Sequence, residues 1–220
     1  MKLELISFKL CPFVQRAVII LKKQNIDYDV TFINIMDPPD WFREISPTGQ
    51  VPLLKADGEV IFESSVISEF ANDIGEVDLQ PSDPIQKAKN RAWASFASGL
   101  FDDLFHIVTG DEEKFTQAKQ GLFKKLELLE AAKTPGNFFN GDAFNLIDAA
   151  FAPLFIRLGW INAFTDNALS IEKFEKLSHW ANNLLADQAV QDSIDEVLED
   201  MYLGNIESRG AHLSTLLIEE

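Results

Sequence analysis

The stretch Leu10-Cys11-Pro12-Phe13-Val14-Gln15-Arg16 joins a short apolar run to an amphipathic one and holds the one cysteine of the 220-residue chain. Behind it, residues 2–8 read as a strand. Ahead of it, residues 13–24 carry Val14, Ala17, Val18 and Leu21 at helical spacing. Pro12 suits the first helical turn, where its missing N–H forfeits no bond. Cys11 therefore stands at a helix N-terminus, where unpaired backbone N–H groups and the positive end of the macrodipole favour thiolate over thiol. The residue reads two ways: as a candidate catalytic nucleophile, or as a small packed cysteine of the kind proteins often bury.

Moving outward, residues 28–35 read as a second strand, so the thiol lies at the first turn of a right-handed parallel βαβ unit. Asp37-Pro38-Pro39-Asp40 interrupts the pattern, residues 41–45 form a short helical piece, and Ser46-Pro47-Thr48-Gly49-Gln50 is a loop by its Pro and Gly content. Strands at 53–56 and 59–62 flank Asp57-Gly58, a hairpin signal, and a helix at 64–74 closes the unit. Residues 1–75 thus predict an α/β domain, βαβ followed by ββα, that resembles the thioredoxin-like architecture. Val14 stands where a second cysteine would complete Cys-x-x-Cys, so any disulfide formed by Cys11 must be resolved by an outside thiol.

Residues 76–84, with Pro81, Asp83 and Pro84, read as a linker. From 85 to 220 helical periodicity takes over, at 85–109, 112–132, 146–159, 171–186 and 190–201, which predicts an all-α bundle with an unassigned tail after 204. Eighteen Phe and four Trp in a 46% hydrophobic chain supply ample core. One cysteine makes no internal disulfide, and no apolar stretch reads as a leader or a membrane span, so the expected location is cytoplasmic. The net charge of −16, spread over both parts of the chain, argues against nucleic acid or anionic membranes as partners. His106, His179 and His212 are too scattered for a metal-ligand motif, and no metal is expected.

Three features fall in order: the helix-capping Cys11, the run Thr48-Gly49-Gln50-Val51-Pro52-Leu53 before a strand, and Glu63-Ser64 opening a helix. With the helical second half, they make the chain resemble the cytosolic glutathione transferases from residue 1 to about 200. The Cys-Pro-Phe run is most similar to the omega-type cysteine classes, which Trp41 also matches. The resemblance implies Cys11 as the catalytic group and a glutathione site made by Phe13, Val51, Pro52, Glu63 and Ser64. Val51-Pro52 would offer backbone groups to the tripeptide in the manner of an added strand. Ser64 and the helix start would take the γ-glutamyl carboxylate, and Glu63 its ammonium. Taken alone, Val-Pro reads as an ordinary loop end and Glu-Ser as an N-cap.

Further expectations follow from the same likeness. Phe101 and Phe105 would help wall the second-substrate pocket, although an aromatic stripe also serves as plain core. Asn145 and Asp148 would form a structural capping box. Pro38 replaces a lysine that such enzymes carry near the glycyl end, and Arg16 and Lys9 are neighbours of Cys11, with Arg16 read as a helix-surface residue that faces solvent. The implied activity is glutathione-dependent thiol transfer or reduction through a Cys11 mixed disulfide, with dehydroascorbate among the implied acceptors. Glutathione is a co-substrate, no permanent cofactor is expected, and the acceptor is a small or protein-bound thiol, disulfide or electrophile. A homodimer is implied. The alternatives are a non-catalytic interaction module that keeps the fold, or a conventional conjugating transferase.

Overall fold

The computed structural model describes residues 1–218. Its first part runs β1 (Leu3–Ser7), α1 (Pro12–Lys23), β2 (Asp29–Phe32), α2 (Asp40–Ile45), β3 (Leu53–Ala56), β4 (Glu59–Phe62) and α3 (Ser64–Ile74). The sheet order is β2-β1-β3-β4, with β1 parallel to β2, antiparallel to β3, and β3 antiparallel to β4. This is the thioredoxin-like arrangement. Alternation along the strands serves both faces of the sheet. Leu3, Leu5, Leu54 and Ala56 join the main core with α1, whereas Ile6 and Leu53 turn to the other side and bury Phe42 of α2.

The second part is helical: α4 (Pro84–Thr109), α5 (Glu112–Ala132), α6 (Leu146–Phe164), α7 (Glu175–Ala186), α8 (Gln188–Gln191) and α9 (Leu198–Arg209), then a 3₁₀ turn at His212–Leu216. Asp83 and Asp111 cap α4 and α5, accepting from Gln86 and Lys114 N–H. Helix α6 is apolar all round and therefore sits at the centre, with α1, α4 and α7 against it. By length and composition it would cross a membrane, which the sequence reading did not anticipate, but 83% of that stretch is buried inside the protein. The capping box at its start forms as expected. Asp148 accepts from Asn145 N–H at 2.7 Å and, through its other oxygen, from Phe139 N–H at 2.9 Å and Trp180 Nε1 at 2.7 Å.

Several boundaries differ from the sequence reading. Residues 75–83 are not a free tether: Leu79 is buried, its N–H donates to Asn72 Oδ1, its carbonyl accepts from Leu146 N–H, and Gln24 clasps the backbone of Val77 on both sides. The helix expected over 190–201 is broken into α8 and α9. Ser193 Oγ donates to Val190 O, and Asp195 Oδ1 accepts from Val197 N–H, so polar side chains take up backbone groups that a continuous helix would need. Helix α9 then runs on through 204–209, part of the tail left unassigned. The last two residues of that expectation lie outside the described residues.

Candidate functional site

Cys11 caps α1 with extended backbone, φ −74° and ψ 117°. Its N–H donates to Phe8 O at 3.0 Å and its carbonyl accepts from Gln15 N–H at 3.1 Å, which fixes the turn between β1 and α1. The thiol is half-buried and donates to Val51 O at 3.8 Å, immediately before the cis Val51–Pro52 peptide. Burial pushes the Cys11 thiol up from its ordinary value. Against it work the Val14 and Phe13 N–H groups and the charges of Arg157 and Arg16, all of which favour thiolate. The expected helix-terminus effect is present but is outweighed by desolvation, so the expectation of a lowered thiol is corrected for this conformation.

Beside the thiol turn lies a cleft of about 210 Å³ lined in part by Phe13, Arg16, Val51, Pro52, Glu63 and Ser64. Five of these are the residues expected to contact glutathione; Cys11 itself does not line the cleft and adjoins it through its contact with Val51. Arg16 corrects the reading of a solvent-facing side chain. It is only 6% exposed, donates from Nε to Ser64 Oγ at 2.8 Å and from Nη2 to the same oxygen, and lies 5.0 Å from the Phe13 ring centre. Burial brings its guanidinium down to about 10, with Cys11 and Glu63 acting in the opposite sense, so it stays charged at neutral pH. Ser64 is buried and Glu63 holds φ 70°, a left-handed backbone uncommon for a residue with a side chain. The cleft thus presents a carboxylate, a hydroxyl and a cation at one end and a strand-like backbone at the other, a surface that fits a zwitterionic peptide.

Thr48 and Gln50 also line the cleft. Lys55 does not: it pairs with Glu4 at 3.4 Å and lies 4.9 Å from the Trp41 ring centre. The two expected acceptor-pocket residues part company. Phe101 is buried and packs edge-on to Phe13 at 5.3 Å, whereas Phe105 is 58% exposed and meets the His106 ring. A second cavity of about 360 Å³ between α3 and α4 shares Arg16, Glu63 and Ser98 with the first. It is also lined by Gln80, whose Oε1 is the buried side-chain atom left without a partner among the described residues.

Two groups near Cys11 went unread in the sequence. Arg157, inside α6, donates to Leu10 O at 3.0 Å and to Gln15 Oε1 at 2.7 Å. The loop between α8 and α9 lies across the same turn: Lys9 pairs with Asp195 at 3.0 Å, and Gln15 Nε2 donates to Ser193 Oγ at 3.2 Å. No spacing rule links residues so far apart; the one available signal is a lone basic residue in a largely apolar helix.

Residues 10–74 match the family described as Glutathione S-transferase, N-terminal domain. Glutathione S-transferase omega-1 of Sus scrofa is 30% identical over 210 residues, covering 90% of this chain and 85% of the relative. Probable glutathione S-transferase DHAR1, cytosolic, of Oryza sativa subsp. japonica is 27% identical, covering 81% and 89%. Among solved structures, glutathione transferase Omega 3C from Trametes versicolor superposes with a TM-score of 0.79 at 27% identity, covering 89% of this chain and 90% of its own.

Proposed function

The chain belongs to the glutathione S-transferase superfamily and is omega-like, and on that footing we propose that it is a glutathione-dependent thiol transferase whose nucleophile is Cys11. The observation that carries this reading is the placement of the Cys11 thiol at the start of α1, against the carbonyl that precedes cis Pro52. A serine or tyrosine at this point would activate glutathione's own sulfur for attack on an electrophile. A cysteine attacks sulfur directly.

In the first step the Cys11 thiolate attacks the glutathionyl sulfur of a mixed disulfide, forming Cys11–S–SG and expelling the other partner as a thiolate, which takes up a proton. In the second, the thiolate of free glutathione attacks that sulfur, releasing oxidised glutathione and restoring Cys11. With dehydroascorbate as acceptor, two glutathiones supply the two electrons. Arg16 and Ser64 would hold the γ-glutamyl carboxylate, Glu63 the ammonium, and the Val51 backbone the cysteinyl unit. The proton that Cys11 shares with Val51 O has to leave before attack, and the charges of Arg16 and Arg157 favour its loss. In place of the usual cation, Thr48 and Gln50 line the cleft as neutral hydrogen-bonding groups and would meet the glycyl end. A cytoplasmic homodimer completes the reading; the exposed Phe62 and Val66 beside the cleft are apolar surface for a second copy to cover.

The test is Cys11→Ser, assayed for thiol transfer from a glutathionylated peptide and for glutathione binding by calorimetry. Transfer should vanish while binding stays within about threefold; loss of both would contradict the assigned roles. The raised thiol leaves two other readings, a conjugating transferase and a non-catalytic module. Turnover that survives Cys11→Ser would establish conjugation, and no turnover in the parent chain would establish the non-catalytic module.

A further inference from the structure

We propose that Arg157 is the positioning residue of Cys11: from the core helix it fixes the Leu10–Cys11 peptide and keeps an unneutralised positive charge beside the thiolate. The proposal rests on Cys11 being the nucleophile, as argued above. Arg157 is 2% exposed, inside a helix whose other buried members are nearly all apolar. Its three acceptors are all neutral: Leu10 O at 3.0 Å, Gln15 Oε1 at 2.7 Å and Pro153 O at 2.9 Å. No carboxylate is among them. A guanidinium held this way keeps its charge, because arginine does not give up its proton in a protein, and its burial carries a desolvation cost that an apolar side chain of similar volume would not incur.

The position of those acceptors says what the charge serves. Leu10 directly precedes Cys11, and Gln15 is the residue whose N–H closes the first turn on the Cys11 carbonyl. One side chain of α6 therefore grips the thiol turn at both ends. The charged and titratable groups facing this turn are few. Arg16 comes from α1, but Glu63 lies close enough to offset part of its charge. From α9 the Tyr202 ring lies 5.8 Å from the Arg157 guanidinium, and burial pushes its hydroxyl up to about 12, so it brings no anion. From the loop before α9, Asp195 is engaged by Lys9. Of the two arginines that draw Cys11 toward its thiolate, Arg157 acts more strongly, and among the described residues its hydrogen-bond acceptors are all neutral.

The experiment follows iodoacetamide alkylation of Cys11 against pH in Arg157→Met and Arg157→Lys; with a single cysteine the signal is unambiguous. Arg157→Met should move the alkylation midpoint up by about half to one pH unit, roughly three- to tenfold less thiolate at a fixed pH below it, whereas Arg157→Lys, which keeps the charge, should stay within about 0.3 unit. Both variants falling in melting temperature with an unmoved midpoint would make Arg157 a packing residue and overturn the proposal. Should Arg157→Met not fold, Gln15→Glu sets a carboxylate against the guanidinium without loss of volume. It should shift the midpoint in the same direction, and no shift would equally overturn the proposal. Alkylation needs no turnover, so an unmoved midpoint and activity that survives Cys11→Ser report separate failures.

Discussion

Arg16 donates from Nε to Ser64 Oγ at 2.8 Å, tying the first turns of α1 and α3 together across forty-eight positions of sequence. The pair is buried, and the same hydroxyl also accepts from Nη2. An anion drawn to the start of α3 would therefore meet a cation already held in place. Arg16→Met should weaken glutathione binding by about ten- to a hundredfold, the loss of one charge-assisted contact of about 1.5–3 kcal/mol. Calorimetric titration with glutathione decides it. An unchanged affinity would remove Arg16 from the binding site.

Glu63 supplies a carboxylate from backbone at φ 70°, where a side chain costs about 1–2 kcal/mol and glycine nothing. Glu63→Gly should therefore leave the melting temperature level or raise it, after the greater flexibility of unfolded glycine is set against the strain. Glutathione affinity should fall by at least about tenfold with loss of the ammonium's partner. A drop in melting temperature would show that the side chain stabilises the fold more than its backbone strains it.

The pH dependence of stability should carry the mark of Asp148. Burial pushes its carboxyl up to about 6, against the three hydrogen bonds and the Lys133 charge that pull it down. A group raised in the folded state lends its full stability below the unfolded value near 4 and loses it as pH rises through about 6, a change on the order of 3 kcal/mol. Glu4, Asp78 and Asp195 are shifted downward and act in the opposite sense, losing stability as pH falls. Asp148→Asn isolates the effect. The variant should be less stable at pH 4, because it cannot accept from Asn145 N–H, and its deficit should shrink between pH 4 and 6.5 in urea titrations of dilute protein. A deficit that grows with pH would mean that the carboxylate, not the acid, is the form the fold prefers.

Lys9 and Asp195 pair at 3.0 Å with both side chains partly exposed, an arrangement worth about 0.2–1 kcal/mol. Asp195→Ala should thus barely alter the melting temperature but free the loop between α8 and α9 from the thiol turn. Alkylation of Cys11 should quicken by up to about fivefold with no change in its pH midpoint. A shifted midpoint would show that Asp195 acts on the thiol's ionisation and not on access to it.

Much of this architecture is legible in sequence because local rules decide it. The Asp57-Gly58 hairpin, the proline opening α1 and the Asn145–Asp148 box each announce an element boundary through a few adjacent residues, and the structure has these elements within a residue or two. The break between α8 and α9 is of another kind: Ser193 and Asp195 satisfy backbone groups locally and are also drawn to Gln15 and Lys9, partners from the far end of the chain. Arg16 shows the same limit, since it is buried against Ser64 of α3, an approach that helical periodicity does not encode. The ionisation of Cys11 meets a related limit. The helix terminus is a local feature, but the desolvation that opposes it comes from the whole fold.

Val14, packed in the core where a second thiol would otherwise stand, also sets how the proposed exchange at Cys11 would depend on glutathione. With one sulfur, exchange with oxidised glutathione releases one reduced glutathione for each protein molecule capped, so the capped fraction follows the simple ratio of oxidised to reduced glutathione. A dithiol would release two, and its oxidation would depend on the square of the reduced concentration. On the proposed mechanism, the capped state of the protein would therefore be indifferent to how much total glutathione surrounds it. Diluting the pool tenfold at constant ratio would leave the occupancy of Cys11 where it was, and only a change in the ratio would move it.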